Sequence, residues 1–287
     1  MKIQIKKLDF DTIYFDLYEI SPGIYAAITA EKFPSSNAGF FDLGNYSIIF
    51  DTLMDPFSTV DLIKASKQFT KKDPSFVINS HYHIDHLFGN CRFSLETPII
   101  CCSETSSEFH KNLDDTLKRW KGIAEQELKR TKELIKEETE PNKILEYNND
   151  IKTYSEILED NFALRPPDFI IDGSFTIQGT ENQVQIVYIG DAHTPGDIVA
   201  YFEKEKICFM GDLLFEETDP NWYSGPNPVP PPANPQRLCD ILIEYMEKDI
   251  DIYVPGHGKI CPKKNLRENA EFFEKQFIKK EVQKTVA

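Results

Sequence analysis

The stretch Ser80-His81-Tyr82-His83-Ile84-Asp85-His86 concentrates three imidazoles and one carboxylate in a few consecutive residues. In an extended segment, residues two apart point to the same side, so His81 and His83 can converge on one ion. If the chain then turns, Asp85 and His86 can serve a second ion beside the first. Because neutral imidazole is the commonest side-chain ligand of transition metals near neutral pH, this stretch predicts a metal centre.

Other metal-capable side chains also follow apolar runs, and each run is a predicted strand. Loops held by a rigid sheet are where functional residues concentrate, so we expect these side chains to meet the first cluster. A carboxylate has two oxygens, so Asp212 can bridge two ions. Five imidazoles and two carboxylates suffice for two ions with positions left open for solvent, as in a catalytic site. The side chains and the runs they follow are Asp51 after 46–50, the histidine cluster after 75–79, His193 after 184–189, Asp212 after 207–210 and His257 after 250–254.

The composition is that of a soluble globular protein, with 40% hydrophobic and 28% charged residues among 287. No run of apolar residues reaches the length of about 18 that a membrane span needs. Residues 1–10 lack the apolar core of a signal peptide, so a cytoplasmic location is expected. The formal charge of −15 weighs against wide contact with nucleic acid. A small-molecule substrate is therefore the expected partner.

Two β-rich halves flank a helical insertion at about 104–162, in which apolar residues recur at spacings of three or four on either side of Pro141. A further helix is predicted at 58–69, with Ser58 as its N-cap. This arrangement predicts an α/β fold with four layers, αββα, in a single domain over 1–287. The charged face of the insertion is expected to be solvated, and two further roles stay open: it roofs the active site, or it forms the surface of a homodimer.

The order of these motifs resembles the metallo-β-lactamase superfamily. The similarity extends from about Ser36 to about Cys261 and includes the runs His193-Thr194-Pro195-Gly196-Asp197 and Gly211-Asp212-Leu213-Leu214-Phe215. It implies a four-layer sandwich of the metallo-β-lactamase type. In such proteins the residue at Asp51 supports the ligands from behind by fixing the orientation of an imidazole. The implied ligands are His81, His83 and His193 for the first ion, Asp85, His86 and His257 for the second, and Asp212 between them.

The same resemblance implies a hydrolase with two divalent metal ions, Zn²⁺ in the first place, with Fe or Mn as alternatives. Two adjacent dications would lower the pKa of a bridging water towards ~7, and Asp85 is placed to orient that water. Class B1 β-lactamases carry a cysteine at the later metal position where this chain has Asp212, and Cys208 lies within the preceding strand. That departure favours the glyoxalase II-like and lactonase-like branches, which cleave ester, thioester or lactone bonds.

Other activities remain as alternatives. A phosphodiesterase or nuclease would need a phosphate-reading surface, which the charge of −15 disfavours. A β-lactamase activity would have to proceed without the class B1 cysteine. A persulfide dioxygenase would use a single iron ion at similar ligands, and imidazole suits iron as well as zinc.

Substrate specificity is expected to reside outside the metal motifs. The proline-rich segment 216–235 follows directly after Asp212, and Trp222 and Tyr223 within it either line the substrate pocket or merely pack the loop. By the same resemblance, the turn 36–39 either lies at the rim of the site or simply begins a strand.

Overall fold

The strands of the first half form one continuous sheet in the order in which they occur along the chain. The computed structural model describes residues 5–30, 35–223 and 229–279, apart from the side chains of Pro220 and Trp222. Neighbours from β1 to β5 are antiparallel, and those from β5 to β8 are parallel. The strands of this sheet are β1 (Lys6–Lys7), β2 (Phe15–Ser21), β3 (Ile24–Thr29), β4 (Ala38–Asp42), β5 (Ser47–Phe50), β6 (Phe76–Ile78), β7 (Ile99–Cys102) and β8 (Phe169–Ile171).

Helices of the first half connect the parallel strands, as parallel pairing requires. The helix predicted at 58–69 begins earlier, and the prediction of Ser58 as its N-cap is wrong. Asp55 caps it instead, because its Oδ1 accepts hydrogen bonds from the main-chain nitrogens of Phe57 and Ser58 at 2.7 and 3.2 Å, ahead of a proline that suits the first helical turn. These helices are α1 (Pro56–Thr70), α2 (Ile84–Leu87), α3 (Ser103–Leu134) and α4 (Pro141–Ile157).

The second half forms a separate sheet and two further helices. Its strands also lie side by side in the order of the chain; β9 to β12 pair antiparallel, and β12 and β13 pair parallel. The elements are β9 (Phe175–Gln178), β10 (Gln183–Gly190), β11 (Asp197–Phe202), β12 (Ile207–Phe215), α5 (Pro235–Glu247), β13 (Ile252–His257) and α6 (Lys264–Phe273).

The predicted four-layer αββα sandwich is confirmed by how the apolar residues pack. One core fills the space between the two sheets, where Phe41 and Phe209 meet edge-on with ring centroids 4.9 Å apart. Gly39 permits this approach, since a Cβ there would lie 2.5 Å from the Phe209 ring. Truncation of such a buried phenylalanine to alanine costs about 3–5 kcal/mol of stability. Helix α1 covers the outer face of the first sheet, and α5 and α6 cover that of the second.

The predicted helical insertion is present as the α3–α4 hairpin. Its apolar stripe packs through Phe109 and Ala124 on Leu87 and Phe88, the residues that follow the histidine cluster. The Phe88 and Trp120 rings meet edge-on at 5.7 Å. The insertion thus lies over the end of the sandwich that carries the predicted metal ligands. Within the described residues, no helix combines the length and apolar character that crossing a membrane requires.

Candidate metal centre

The candidate ligands converge at one edge of the two sheets. His81 and His83 lie in the loop after β6, while Asp85 and His86 lie on the short helix α2. His193 lies in the turn between β10 and β11, and His257 is the last residue of β13. All of them therefore stand at strand ends or directly beyond, where the rigid sheets fix the starting points of the loops.

Asp212 differs from the expectation that it follows a strand, because β12 runs on through Phe215. The backbone is irregular at Gly211, where the register with β13 shifts and φ is +52°. That left-handed conformation favours glycine and interrupts the apolar run without ending the strand. Asp212 is 6% exposed and is presented to the centre from inside the sheet.

The first group of donor atoms comes from His81, His83, His193 and Asp212, all within 4.8 Å of one another. His83 Nδ1 lies 3.1 Å from His193 Nε2. Asp212 Oδ2 lies 3.5 Å from His193 Nε2 and 3.8 Å from His81 Nε2. Three imidazoles and one carboxylate oxygen thus surround one small volume, in the number that a four-coordinate ion requires.

The second group comes from Asp85, His86 and His257, again within 4.8 Å of one another. Asp85 Oδ2 lies 3.1 Å from His257 Nε2 and 3.8 Å from His86 Nε2. Asp212 Oδ1 lies 3.0 Å from His86 Nε2 and 3.4 Å from His257 Nε2. One oxygen of Asp212 therefore faces each group, which is the geometry of a bridging carboxylate.

Asp51 lies behind both groups and is 1% exposed. Its Oδ2 is 2.8 Å from His86 Nδ1 and accepts a hydrogen bond from Ser80 Oγ, also at 2.8 Å. Ser80 Oγ in turn lies 2.9 Å from His81 Nδ1. With both Nδ1 atoms engaged in this way, the Nε2 atoms of His81 and His86 point into the centre. Asp51 adopts φ of +60°, a rare conformation for a residue other than glycine.

The imidazoles of the first group are held neutral. Burial is the main cause, because removing an imidazolium from water is unfavourable. It lowers the pKa of His81 well below its usual value, lowers that of His83, and lowers the pKa of His193 to about 3. These rings carry free lone pairs at neutral pH, the form in which imidazole binds a metal.

The imidazoles of the second group have raised pKa values instead. Burial opposes their protonation, but the nearby carboxylates outweigh it. Asp212, Asp51 and Asp85 raise the pKa of His86 well above its usual value, and the charge of Asp212 raises the pKa of His257 to about 10. The charges of His86 and His257 in turn keep the pKa of Asp85 low against the effect of burial. Without a metal this group is a set of ion pairs.

The donor atoms fit divalent metal ions. His81 Nε2, His86 Nε2 and Asp212 Oδ1 are buried without a well-aligned hydrogen bond, and the last two meet as an ion pair at 3.0 Å. Buried polar atoms without partners are costly, and a cation between them would satisfy all three. Imidazole nitrogen with carboxylate oxygen is a donor set suited to zinc and to other divalent transition metals.

The sequence model of the metallo-beta-lactamase superfamily matches residues 32–257, well over half of the chain. This chain belongs to the metallo-β-lactamase superfamily. The match includes every residue of both groups and Asp51. Members of the superfamily are metallo-hydrolases, so the chain is a superfamily hydrolase with a His and Asp site that could hold metal.

Solved metallo-β-lactamases share this fold at low sequence identity. The DIM-1 metallo-β-lactamase is 16% identical, with a TM-score of 0.60 over 95% of this chain and 99% of that one. The FIM-1 enzyme from Pseudomonas aeruginosa, in its mono-zinc form, is 15% identical, with a TM-score of 0.59 over 92% and 96%. A metallo-β-lactamase from Pontibacter korlensis is 14% identical, with a TM-score of 0.58 over 95% and 99%. At these identities the likeness shows the fold alone.

A cavity of about 1010 Å³ opens beside the metal-binding residues of this metallo-β-lactamase superfamily member. Asp85, His193, Asp212 and His257 contribute to its floor, and α3 supplies one wall. The insertion therefore roofs the site, whereas its part in a homodimer stays a prediction. The residues of α3 on that wall are Glu108, Phe109, Asn112, Leu113, Asp115, Thr116, Arg119 and Trp120.

The segment after β12 contributes to the same cavity. Tyr223 lines it, and its ring packs edge-on against Phe277, with centroids 4.9 Å apart. Tyr223 thus both lines the pocket and packs the loop, the two alternatives that the sequence left open. Trp222, the other predicted pocket residue, has its side chain outside the described residues.

Two buried side chains near the centre have no counterpart among the sequence predictions. Ser80 precedes the histidine cluster and joins Asp51 to His81. Asp197, the first residue of β11, accepts hydrogen bonds from the nitrogen and hydroxyl of Thr194 at 2.9 and 2.7 Å, while burial raises its pKa to about 8. Both lie within or beside the quoted motifs, but spacing alone does not distinguish a ligand from the residue that holds it.

Proposed function

We propose that this chain is a hydrolase with two divalent metal ions, zinc in the first place, which cleaves an ester, thioester or lactone bond of a small molecule. The observation that carries the proposal is the position of Asp212, whose Oδ2 faces His81 and His193 while its Oδ1 faces His86 and His257. A carboxylate shared in this way supports two ions side by side rather than one.

Metal ions bound there would supply a water of lowered pKa and polarise the carbonyl oxygen of the substrate. Asp85 lies at the cavity with its side chain 24% exposed, and its Oδ2 can accept a hydrogen bond from the attacking water. Because the pKa of Asp85 is low, its carboxylate orients the water and passes the proton on to the leaving atom without retaining it.

In the reaction, the oxygen of water forms a bond to the carbonyl carbon, and the bond from that carbon to the leaving oxygen or sulfur breaks. The leaving atom departs with the electron pair. The proton that the water loses passes through Asp85 Oδ2 to that atom, so the products are a carboxylic acid and an alcohol or thiol.

The walls of the cavity favour a substrate with an apolar group beside the scissile bond. On α3, Phe109, Leu113 and Trp120 face it, and Tyr223 and Phe215 approach from the other half of the chain. Burial of each CH₂ group against such walls contributes about 0.8 kcal/mol. The cavity volume of about 1010 Å³ is ample for a small molecule of this kind.

β-Lactams are the second class of substrate to be tested, because the solved structures named above are β-lactamases. The aspartate at position 212, where class B1 enzymes carry a cysteine, argues for the ester, thioester and lactone class. Phosphodiesters are less favoured, since outside the proposed ligands the cavity carries two carboxylates, Glu108 and Asp115, against one guanidinium, Arg119.

The test is hydrolysis of a panel of lactones, thioesters, carboxylic esters, β-lactams and phosphodiesters by the zinc-loaded protein. We expect the first three classes to react fastest. The Asp85→Asn variant should lower kcat on the best substrate by about 10²–10⁴-fold, the usual range for a positioned proton-transfer group. Asp240→Asn, an exposed carboxylate on α5, is the matched control. Full activity of Asp85→Asn, or a single redox-active iron in the purified protein, would contradict the proposal.

A further inference from the structure

Asn37 is a buried residue that joins the two halves of the fold beside the second group of donor atoms. It is 4% exposed and stands at the start of β4 in the first sheet. Its side-chain Nδ2 donates to the carbonyls of Pro255 at 2.9 Å and of Gly258 at 2.8 Å, and its main-chain nitrogen donates to Gly256 at 2.6 Å. The carbonyls before and after His257 are therefore all held by one residue.

The same residue is itself fixed in place. Asn37 Oδ1 accepts a hydrogen bond from the main-chain nitrogen of Thr29 at the end of β3, at 3.0 Å. The carboxamide of Asn37 therefore accepts one hydrogen bond through Oδ1 and donates two through Nδ2. These bonds fix which way the amide group faces. A rotated amide would place two acceptors against each other, which is unfavourable when water is excluded.

Ser36 connects this anchor to the other side of the second group. It is fully buried, and its Oγ donates to the main-chain carbonyl of Asp85 at 2.5 Å. Asp85 Oδ2 and His257 Nε2 lie 3.1 Å apart. The dipeptide Ser36-Asn37 therefore bonds to the backbone of Asp85 and to the residues on either side of His257, two donors that come from opposite halves of the chain.

The first group has no such dependence in the described residues. His81 and His83 lie in the loop after β6 and His193 in the turn after β10, and the hydrogen bonds of Ser36 and Asn37 reach neither segment. The dipeptide therefore contacts the segments of the second group directly and reaches the first group only through Gly256, which packs against the shared Asp212.

We infer that Asn37, with Ser36, is a positioning residue that sets the separation of Asp85 and His257 and thereby the affinity of the second metal ion. This inference rests on the proposed two-metal hydrolase. Asn37 touches no donor side chain and acts through the backbone around His257. Loss of its carboxamide leaves the Pro255 and Gly258 carbonyls and the Thr29 nitrogen without these partners, so the segment that carries His257 loses its fixed position.

The experiment is titration of the metal-free protein with Zn²⁺, with bound zinc counted at each step and the two affinities fitted separately. Asn37→Ala should bind the first ion as the wild type does and the second about 10–100-fold more weakly, the range found when partners behind a ligand are removed. Ser36→Ala, which removes one bond to the Asp85 backbone, should weaken the second ion less. It also serves as the test if Asn37→Ala fails to fold.

Asn149→Ala is the matched control. Asn149, on α4 away from both groups, is also buried, at 7% exposure, and its carboxamide bonds to Tyr14 and Asp55, two partners against the three of Asn37. It should lower the melting temperature but leave both zinc affinities unchanged. If Asn37→Ala binds both ions as the wild type does, or weakens both equally, the inference is wrong.

The same titration separates this inference from the proposed function. A wild-type protein that binds two zinc ions but hydrolyses nothing in the panel would remove the proposed activity and leave the role of Asn37 standing. If the wild type binds two ions and hydrolyses its substrate but Asn37→Ala binds zinc as the wild type does, the proposed activity stands and the role of Asn37 is wrong. A wild type that binds only one ion would overturn both.

Discussion

The two groups of donor atoms share Asp212 but differ in burial and charge. In the first group, His81 is 1% and His193 is 7% exposed, and burial lowers the pKa of both rings. In the second, the side chains of Asp85 and His257 are 24% and 32% exposed, and the pKa of His257 is raised. The first group is therefore ready to accept a cation, whereas the second must first lose protons.

The two groups also differ in their access to the cavity. The second group borders the large cavity through Asp85 and His257, where water and substrate arrive. In the first group only His83 is partly exposed, and it reaches the cavity together with His193, whereas His81 is fully enclosed. We expect the first ion to bind more tightly. The second ion should be lost first when the pH falls or when a supporting residue is replaced.

The largest effect should come from the one residue that belongs to both groups. Asp212→Ala removes the oxygen that faces each, so both ions should be weakened and hydrolysis should fall by at least about 10⁶-fold, the low end of enzymatic rate enhancements. Zinc content and kcat/KM on the best substrate are measured together. Asp249→Ala, an exposed carboxylate paired with Lys206, is the control. Retention of one tightly bound ion in Asp212→Ala would show that the groups are independent.

Much of this site could be predicted from the sequence, because its donors lie at the ends of apolar runs whose strand character is local. His81, His83, His193 and His257 all occupy such positions. The extension of β12 through Asp212 could not, since the irregular backbone at Gly211 depends on pairing with β13.

Residues that hold the ligands were harder to predict, because their partners are distant along the chain. The side chain of Asn37 meets a carbonyl 218 residues away. The wrong prediction of Ser58 as the N-cap of α1 has a local cause, because the Asp55-Pro56 pair just upstream is a better helix start signal. Sequence periodicity places strands, but only the packed sheets determine which buried polar groups meet.

Acidification should remove the second ion before the first. His86 and His257 have raised pKa values, so they hold protons at neutral pH that the ion must displace, and its affinity should fall by roughly 100-fold per pH unit if both protons leave. The pKa of His193 is lowered to about 3, so the first ion should bind with little change from pH 8 to pH 6.

Equilibrium dialysis against zinc at pH 8, 7 and 6 measures both affinities, and a pH indicator counts the protons released as each ion binds. Most of the release should accompany the second ion. Simultaneous loss of both ions as the pH falls would remove the distinction between a neutral first group and a charged second group.

The raised pKa of His257 also predicts that the metal-free protein becomes less stable as the pH rises. His257 is protonated in the folded state up to about pH 10, so its contribution to stability is complete below the ordinary pKa near 6.5 and is lost as the pH rises from there towards 10. Urea unfolding of the metal-free protein between pH 7 and 10 should show this loss, and His257→Gln should reduce it. An unchanged slope in His257→Gln would mean that other groups cause the loss.

The smallest effect should come from Ser80, which contacts the first group directly at His81 and the second only through Asp51. His81 Nδ1 reaches Asp51 through Ser80 Oγ, whereas His86 Nδ1 contacts Asp51 directly. Ser80→Ala should therefore weaken the first ion by about 10-fold, the low end for loss of a partner behind a ligand, and leave the second unchanged. Ser66→Ala, which removes a buried hydroxyl paired with Ser47 away from the centre, is the control. Zinc titration of both variants measures this, and a weaker second ion in Ser80→Ala would mean that the serine acts through Asp51 on both groups.

Because Ser80→Ala and Asn37→Ala are expected to weaken opposite ions, the pair tests whether each half of the centre is supported by its own buried hydrogen bonds.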